Sequence, residues 1–263
     1  MTKARENSDY TGLQGDLALK STVASPVFTG NVGIGVTPEA THSLADVLQV
    51  GGTALIANWE DAETYVGENV YISTAGTYKY LTTSHASLYN QNSGKHVFNV
   101  APSGTADAAI SFTNAMTIDN AGIVTKPLQP IISVSRDNSS LSFTTNQDVF
   151  ASTSMLNWVV QGISHDTSNG RFTVPVAGKY YVHFQSMKNS GAKAYFRVYK
   201  NGGDTLGLRI YDDTTNISGW CPYGLGGVFS LAANDYLNVV CGEGATNNAH
   251  GMNHMNFTIH LIG

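Results

Sequence analysis

Charge is scarce in this chain. Asp, Glu, Lys and Arg make up 13% of its 263 residues, with a formal balance of −5. That leaves no basic footprint for nucleic acid, and Lys3, Arg5, Lys20 and Lys79 are too scattered to make a patch. Cysteine is scarcer still: Cys221 and Cys241 could form one bridge at most and lack metal-ligand spacing, so two idle thiols are expected. No apolar run approaches the roughly 18–20 residues needed to cross a bilayer, so no membrane insertion is expected. The segment from Met1 to Asp9 lacks the apolar core of a secretion signal, and the expectation is a product made in a cytoplasm and released by a route such as lysis. Also missing are a Ser-His-Asp order, a Gly-rich phosphate loop and zinc spacing. The reading is of a non-enzyme that needs no cofactor.

What is present is β patterning. Hydrophobic residues make up 42% of the chain, and 27 glycines favour many turns and short strands. Residues 1 to about 24 are polar, with Leu13, Leu17 and Leu19 as larger aliphatic anchors, and a segment of this kind orders only against a partner. From Ala24 to Val36 apolar and small residues alternate, which reads as narrow β structure. Thr37 is a plausible N-cap with Pro38 and Glu39 behind it, so a turn or two of helix is expected through about Asp46. Short strands then follow at Val47–Val50, Tyr78–Leu81, His85–Tyr89, Lys95–Val100, Ala109–Phe112 and Met116–Ile118. Turns at Asn92-Ser-Gly94, Ser103-Gly104 and Asn120-Ala-Gly122 separate them. These strands carry so little apolar content that copies of the chain are expected to share a core around a common axis. Lys126-Pro127-Leu-Gln-Pro130 resists helix and reads as the linker, which places the domains at 1–24, 25–130 and 131–263.

Beyond the linker the period of two is plain. Tyr180, Val182 and Phe184 share a face, as do Ala194, Phe196 and Val198; Leu206, Leu208 and Ile210; Leu237, Val239 and Cys241; and Phe257, Ile259 and Leu261. Each set is expected to point inward, in an antiparallel sandwich of about 130 residues.

Phe172-x-x-Pro175-x-x-Gly178-x-Tyr180, Lys200-Asn201-Gly202, Asp235-x-Leu237-x-Val239 and the terminal Phe257-x-x-x-Leu261-Ile-Gly263 resemble the jelly-roll head of the complement first-component and tumour-necrosis-factor families. The resemblance implies a compact homotrimeric head. In the N-terminal half, Ala24-Ser-Pro26-Val-Phe28-Thr-Gly30 and Asn31-Val-Gly33-Ile-Gly35-Val-Thr-Pro38 are similar to repeats in bacteriophage tail fibres, and Ala101 to Pro130 resembles shaft sequence in marine phages. These resemblances imply an all-β fibre: a short N-terminal docking segment, an elongated trimeric β shaft and a C-terminal antiparallel jelly-roll sandwich. They further imply a homotrimer in the virion, joined to a tail or adaptor protein by its N-terminus and meeting a host surface glycan or protein with its head. A decoration or adaptor protein that binds another viral protein is the alternative, and a glycan depolymerase is a third reading.

Candidate residues follow from chemistry. For recognition the richest loop runs from Tyr211 to Tyr223; Tyr211, Trp220 and Tyr223 are stiff amphipathic contacts, and Asp212, Asp213 and Asn216 suit sugar hydroxyls or a protein edge. Tyr195, Arg197 and Tyr199 alternate with the inward set on their strand, so they face outward as either a subunit seam or a binding face, with the seam preferred. His250, His254 and His260 share parity near the last strand. They are too far apart within one chain for one metal, but a threefold axis could gather one from each copy. Carboxylate pairs for glycoside hydrolysis would have to come from Asp212 with Asp213, or from Glu60, Asp61 and Glu63.

Overall fold

The computed structural model describes residues 30–60, 63–137, 141–188, 193–214, 219–242, 247–249 and 254–263. The chain divides into two compact units, Met1–Pro127 and Leu128–Gly263. The described residues contain no helix.

The first unit runs through β1 (Val32–Ile34), β2 (Val47–Val50), β3 (Ala54–Trp59), β4 (Glu63–Glu68), β5 (Tyr71–Ile72), β6 (Tyr78–Lys79), β7 (Ser84–Asn92), β8 (Lys95–Gly104), β9 (Thr113–Ile118) and β10 (Val124–Thr125). Eight of these form one sheet in the order β1-β2-β3-β4-β7-β8-β9-β10, antiparallel except where β1 lies parallel on β2. Tight turns set the meander. Between β7 and β8, Ser93 and Gly94 both take positive φ, the pairing that matches a two-residue turn to the twist of its strands. One sheet face carries Val47, Leu55, Ala57, Tyr65, Ala86, Leu88 and Ala101, and it is covered by Val70, Ile72, Tyr80 and Ile110 from around the β5–β6 hairpin. Buried Asn69 ties that cover down, accepting from the Thr82 amide at 2.6 Å and donating to the His85 carbonyl at 2.8 Å. This second layer gives the unit a buried cluster within one chain.

Some local expectations are corrected. No helix forms over 37–46: the Glu39 amide donates to Gln49 Oε1 at 3.0 Å and Asn31 Nδ2 to Thr41 Oγ1 at 2.8 Å, while Thr41 makes an isolated bridge to Ser73. These long-range partners outcompete a marginal helical turn. Ser103-Gly104 belongs to the end of β8 instead of a turn. A Cβ on Gly104 would lie 2.1 Å from the Tyr80 ring, so the glycine marks a close approach. Ala109–Phe112 is reduced to a single bridge from Ala109 to Lys79.

The second unit comprises β11 (Ile131–Arg136), β12 (Leu141–Phe143), β13 (Met155–Gln161), β14 (Ser164–Asp166), β15 (Arg171–Thr173), β16 (Gly178–Lys188), β17 (Ala194–Lys200), β18 (Arg209–Asp212), β19 (Cys221–Leu231), β20 (Tyr236–Cys241), β21 (Asn247–Ala249) and β22 (Asn256–Leu261). One sheet is built on β16, which pairs along its length with β19 and on its other edge with β21 and β22. β11 lies beside β22, joined by Ser133 Oγ to Thr258 Oγ1 at 2.9 Å and by the Leu261 amide to the Pro130 carbonyl at 2.9 Å. The other sheet has the order β14-β15-β20-β17-β18. The whole is an all-β antiparallel jelly-roll sandwich.

The inward sets meet as expected: Tyr180, Val182, Phe184, Ala194, Phe196, Val198, Leu237, Val239, Cys241, Phe257 and Ile259 are all buried. Phe150 anchors them, edge-on to Phe172 and Phe184 and stacked on Phe257 at 5.7 Å. Leu206 and Leu208 also pack on this core, but they precede β18 because Gly207 takes a φ of +68°. Asp235 joins two turns, accepting from the Ala232 amide and Asn201 Nδ2, each at 2.7 Å, and pairing with Lys200 at 2.8 Å. These contacts, led by Lys200, hold its carboxyl down to about 2.

Candidate binding face

Alternation on β17 sends Ala194, Phe196 and Val198 into the core and leaves Tyr195, Arg197 and Tyr199 half-buried on the outer side. Antiparallel register then sets Tyr211 opposite Tyr195 and Arg209 opposite Arg197. The two tyrosines meet edge to face at 5.0 Å. The Arg197 guanidinium lies 4.6 Å over the Tyr195 ring and donates to the Tyr195 and Tyr199 hydroxyls. Asp204 pairs with Arg209 at 3.0 Å and with Arg197 at 3.7 Å. A Cβ on Gly242, just past β20, would come within 2.5 Å of the Tyr195 ring, so the glycine makes room for that ring. Two groups that the sequence presents as separate thus form one ladder, with Tyr211 as its open end at 69% exposure.

Asp212 points the other way, toward the sandwich interior. Its carboxylate accepts from Lys188 Nζ at 2.8 Å, from the Tyr223 hydroxyl and from the Thr214 amide at 2.7 Å. Lys188 itself is 1% exposed, also donates to the Thr214 carbonyl at 2.7 Å and lies 5.5 Å from the Tyr223 ring centre. The ammonium, then the Tyr223 hydroxyl, hold the Asp212 carboxyl well below the usual carboxylate range. Burial, then the Asp212 carboxylate, push the Tyr223 hydroxyl well above the usual phenol range. Asp212 and Tyr223 therefore brace the loop from within. Asp213 and Trp220 are exposed, and Asn216 lies outside the described residues.

The other candidates are not gathered into a site. His250 and Asp61 lie outside the described residues, and His254 and His260 are half-buried. Among the described residues no group of three His, Cys, Asp or Glu is placed to hold a metal. The Glu63 carboxylate is taken up by the Tyr65 hydroxyl and the amides of Asn90 and Asn92. The ladder offers ring faces, guanidinium donors and a carboxylate, the equipment of recognition.

Three contributors escape a reading of the sequence. Lys188 shares parity with Tyr180, Val182, Phe184 and Ser186, so the period of two does place it inward; that signal was available. Asp204 and Arg209 carry no such signal: the β17–β18 register sets Arg209 opposite Arg197, and Asp204 reaches both arginines from the segment between those strands.

No protein-family model matches the chain, and no curated protein does. Among solved structures, the chain is similar to the Eiger TNF of S. frugiperda, with 11% identity over 51% of this chain and 93% of that one and a TM-score of 0.42. It is also similar to the globular domain of the zebrafish complement 1qA protein, with 18% identity over 51% of this chain and 98% of that one and a TM-score of 0.40.

Proposed function

We propose that the chain is a non-enzymatic, homotrimeric virion fibre protein whose C-terminal jelly roll adsorbs to a host surface glycan or protein. On this reading residues 1–24 dock on a tail or adaptor protein and residues 25–130 form the shaft. The observation that carries the binding role is the Tyr211–Tyr195–Arg197 ladder. It is an aromatic and guanidinium surface open at Tyr211, held in one geometry by pairing with β18 and by the Lys188–Asp212 brace beneath. Rigid aromatic contacts lose little entropy on binding. Three copies raise the overall avidity of a weak site by about 10²–10⁴. Tyr211, the exposed end of the ladder, is taken as the receptor contact, and Tyr195, Arg197 and Tyr199 behind it serve the binding face or the subunit seam, with the seam the preferred role by alternation.

The test is competition. Purified full-length chain should block adsorption of the parent particle to host cells, and Tyr211→Ala with Trp220→Ala should abolish the block while leaving thermal unfolding in place. Particles that assemble and adsorb normally without the head would sink the adsorption role and favour the decoration or adaptor reading. Release of reducing sugar from host polysaccharide would favour a depolymerase instead.

A further inference from the structure

The outer side of the β17–β18 pair is unevenly charged. Antiparallel register sets Arg209 directly opposite Arg197, and like charges so placed destabilise a pair of strands. Asp204 is the carboxylate set between them, 3.0 Å from Arg209 Nε and 3.7 Å from Arg197 Nε, and one carboxylate cannot neutralise two guanidinium groups. The neighbours do not supply the missing charge. Lys193 and Asp213, both exposed, continue the register at the same end of the pair and offset each other. Asp212 turns inward to Lys188. Asp148 bridges to Val240 on the far side of β17, about 14 Å from Arg209 by strand spacing, and its carboxylate is taken up by Asn238 Nδ2. Around the pair, three cations therefore stand against two carboxylates, on a chain whose formal balance is −5.

The two arginines are also placed differently. Arg197 has a side chain 23% exposed and commits its terminal nitrogens to the Tyr195 and Tyr199 hydroxyls. Arg209 is 53% exposed, and its terminal nitrogens make no hydrogen bond among the described residues. Two residues along β18, about 7 Å away on the same side, stands Tyr211, 69% exposed and steadied by its ring contact with Tyr195. Among the described residues β18 is the last strand of its sheet, so both side chains can be approached from the front and from the edge.

We infer that Arg209 and Tyr211 together hold an acidic sugar of a surface glycan, with the guanidinium fork on its carboxylate and the phenol ring against the C–H face of the sugar ring. The occupant is argued from complementarity of charge and shape. A guanidinium whose terminal nitrogens are unused matches a carboxylate through two parallel hydrogen bonds. An exposed tyrosine adds a stiff apolar platform at low entropic cost. A neutral sugar would use the ring alone and an acidic peptide the guanidinium alone, whereas an acidic sugar uses both in one unit. The inference rests on the reading of Tyr211 as the receptor contact and adds to it the chemical class of the receptor.

The test uses the full-length chain on immobilised probes: oligogalacturonate and sialyllactose as acidic sugars, a neutral galactose oligomer, and oligoglutamate. An acidic sugar should bind, more weakly as salt rises, and the neutral oligomer and oligoglutamate should bind at least about tenfold more weakly. Arg209→Gln should weaken binding of the acidic sugar about tenfold or more through loss of the charge-assisted pair, and Arg209→Lys should restore it only in part because an ammonium lacks the fork. Both variants should keep the mass and the unfolding midpoint of the parent chain; if Arg209→Gln fails to fold, Arg209→Lys carries the comparison. Binding of neither acidic sugar overturns the inference, as does equal binding of the neutral oligomer or of oligoglutamate. A fall in mass on Arg209→Gln would place Arg209 in a subunit seam and overturn it too. A chain that blocks adsorption, and still blocks it with Arg209→Gln, sinks this inference alone. One that binds an acidic sugar through Arg209 but blocks no adsorption supports the inference and sinks the adsorption role.

Discussion

The two units distribute their apolar residues in opposite ways. The second concentrates them between its sheets, where Phe150, Phe172, Phe184, Phe196 and Phe257 contact one another within a single core. The first divides them between two faces of one sheet. Its buried cluster leans on Ala45, Ala57, Ala86 and Ala101 and contains no phenylalanine, while Ile56, Val66, Phe98 and Val100 stand outside. A phenylalanine buries far more apolar surface than an alanine, so the second core is the stronger per position. The outer face of the first unit holds in reserve the apolar surface that its core lacks. The parity that the large side chains occupy helps to decide whether a β unit gathers its apolar surface into one core or leaves part of it outside.

Core truncation is the sharpest way to break that comparison. Phe257→Ala should cost about 3–5 kcal/mol and Leu55→Ala about 2–5 kcal/mol, each in its own unit. Trp59 reports the first unit once Trp158 and Trp220 are replaced by Phe, and circular dichroism reports both. If Phe257→Ala shifts the Trp59 transition as far as Leu55→Ala does, the two cores are energetically one. Next in size is Lys188→Met, which strands the Asp212 carboxylate at the sandwich edge. It should cost the second unit about 2–3 kcal/mol, below the full buried-pair value because Asp212 is 23% exposed. Adding Asp212→Asn should recover part of that loss, and strict additivity of the two substitutions would show that the pair is not coupled.

Acid gives the smallest effect and addresses the second unit. Contacts with Lys200 and Asn201 hold Asp235 down to about 2, so the stability it contributes is present above the ordinary carboxylate range and is lost as pH falls toward 2. Asp212 acts in the same direction. Burial, with its ring stacked 4.1 Å from Phe172, pushes His165 below its ordinary value of 6.5. Its neutral form is favoured on folding, so stability falls as pH drops below 6.5 and levels off below its folded value. Unfolding midpoints of the second unit should therefore decline steadily from pH 7 to pH 2. His165→Phe should flatten the upper part of that decline, and an unchanged slope would remove His165 from the account.

Much of the second unit was legible because alternation is local. Tyr180, Val182 and Phe184, or Leu237, Val239 and Cys241, declare a buried face by their own spacing, and Lys188 stood on the same inward parity. The residues from 37 to 46 misled for the complementary reason: Thr37, Pro38 and Glu39 make a good local start, but Gln49 and Ser73 supply partners from outside the segment. The candidate face was half legible. Tyr195, Arg197 and Tyr199 announce themselves as outward, yet their union with Tyr211 depends on which strand pairs with β17, and that with Asp204 on the course of the segment between the two strands.

By itself, then, the amino-acid sequence determined the strand character of the chain, its poverty of charge and the inward parity of the second unit, since patterning of this kind depends on neighbours two to four residues apart. The tertiary structure alone decided that Tyr211 meets Tyr195, that Lys188 finds Asp212, and that Val32, Leu48, Ile56, Val66, Tyr89, Phe98 and Met116 fall into one row. Register between strands is a non-local quantity, set by turn geometry and by the face that must be buried, and a shift of one residue would have turned that row inward.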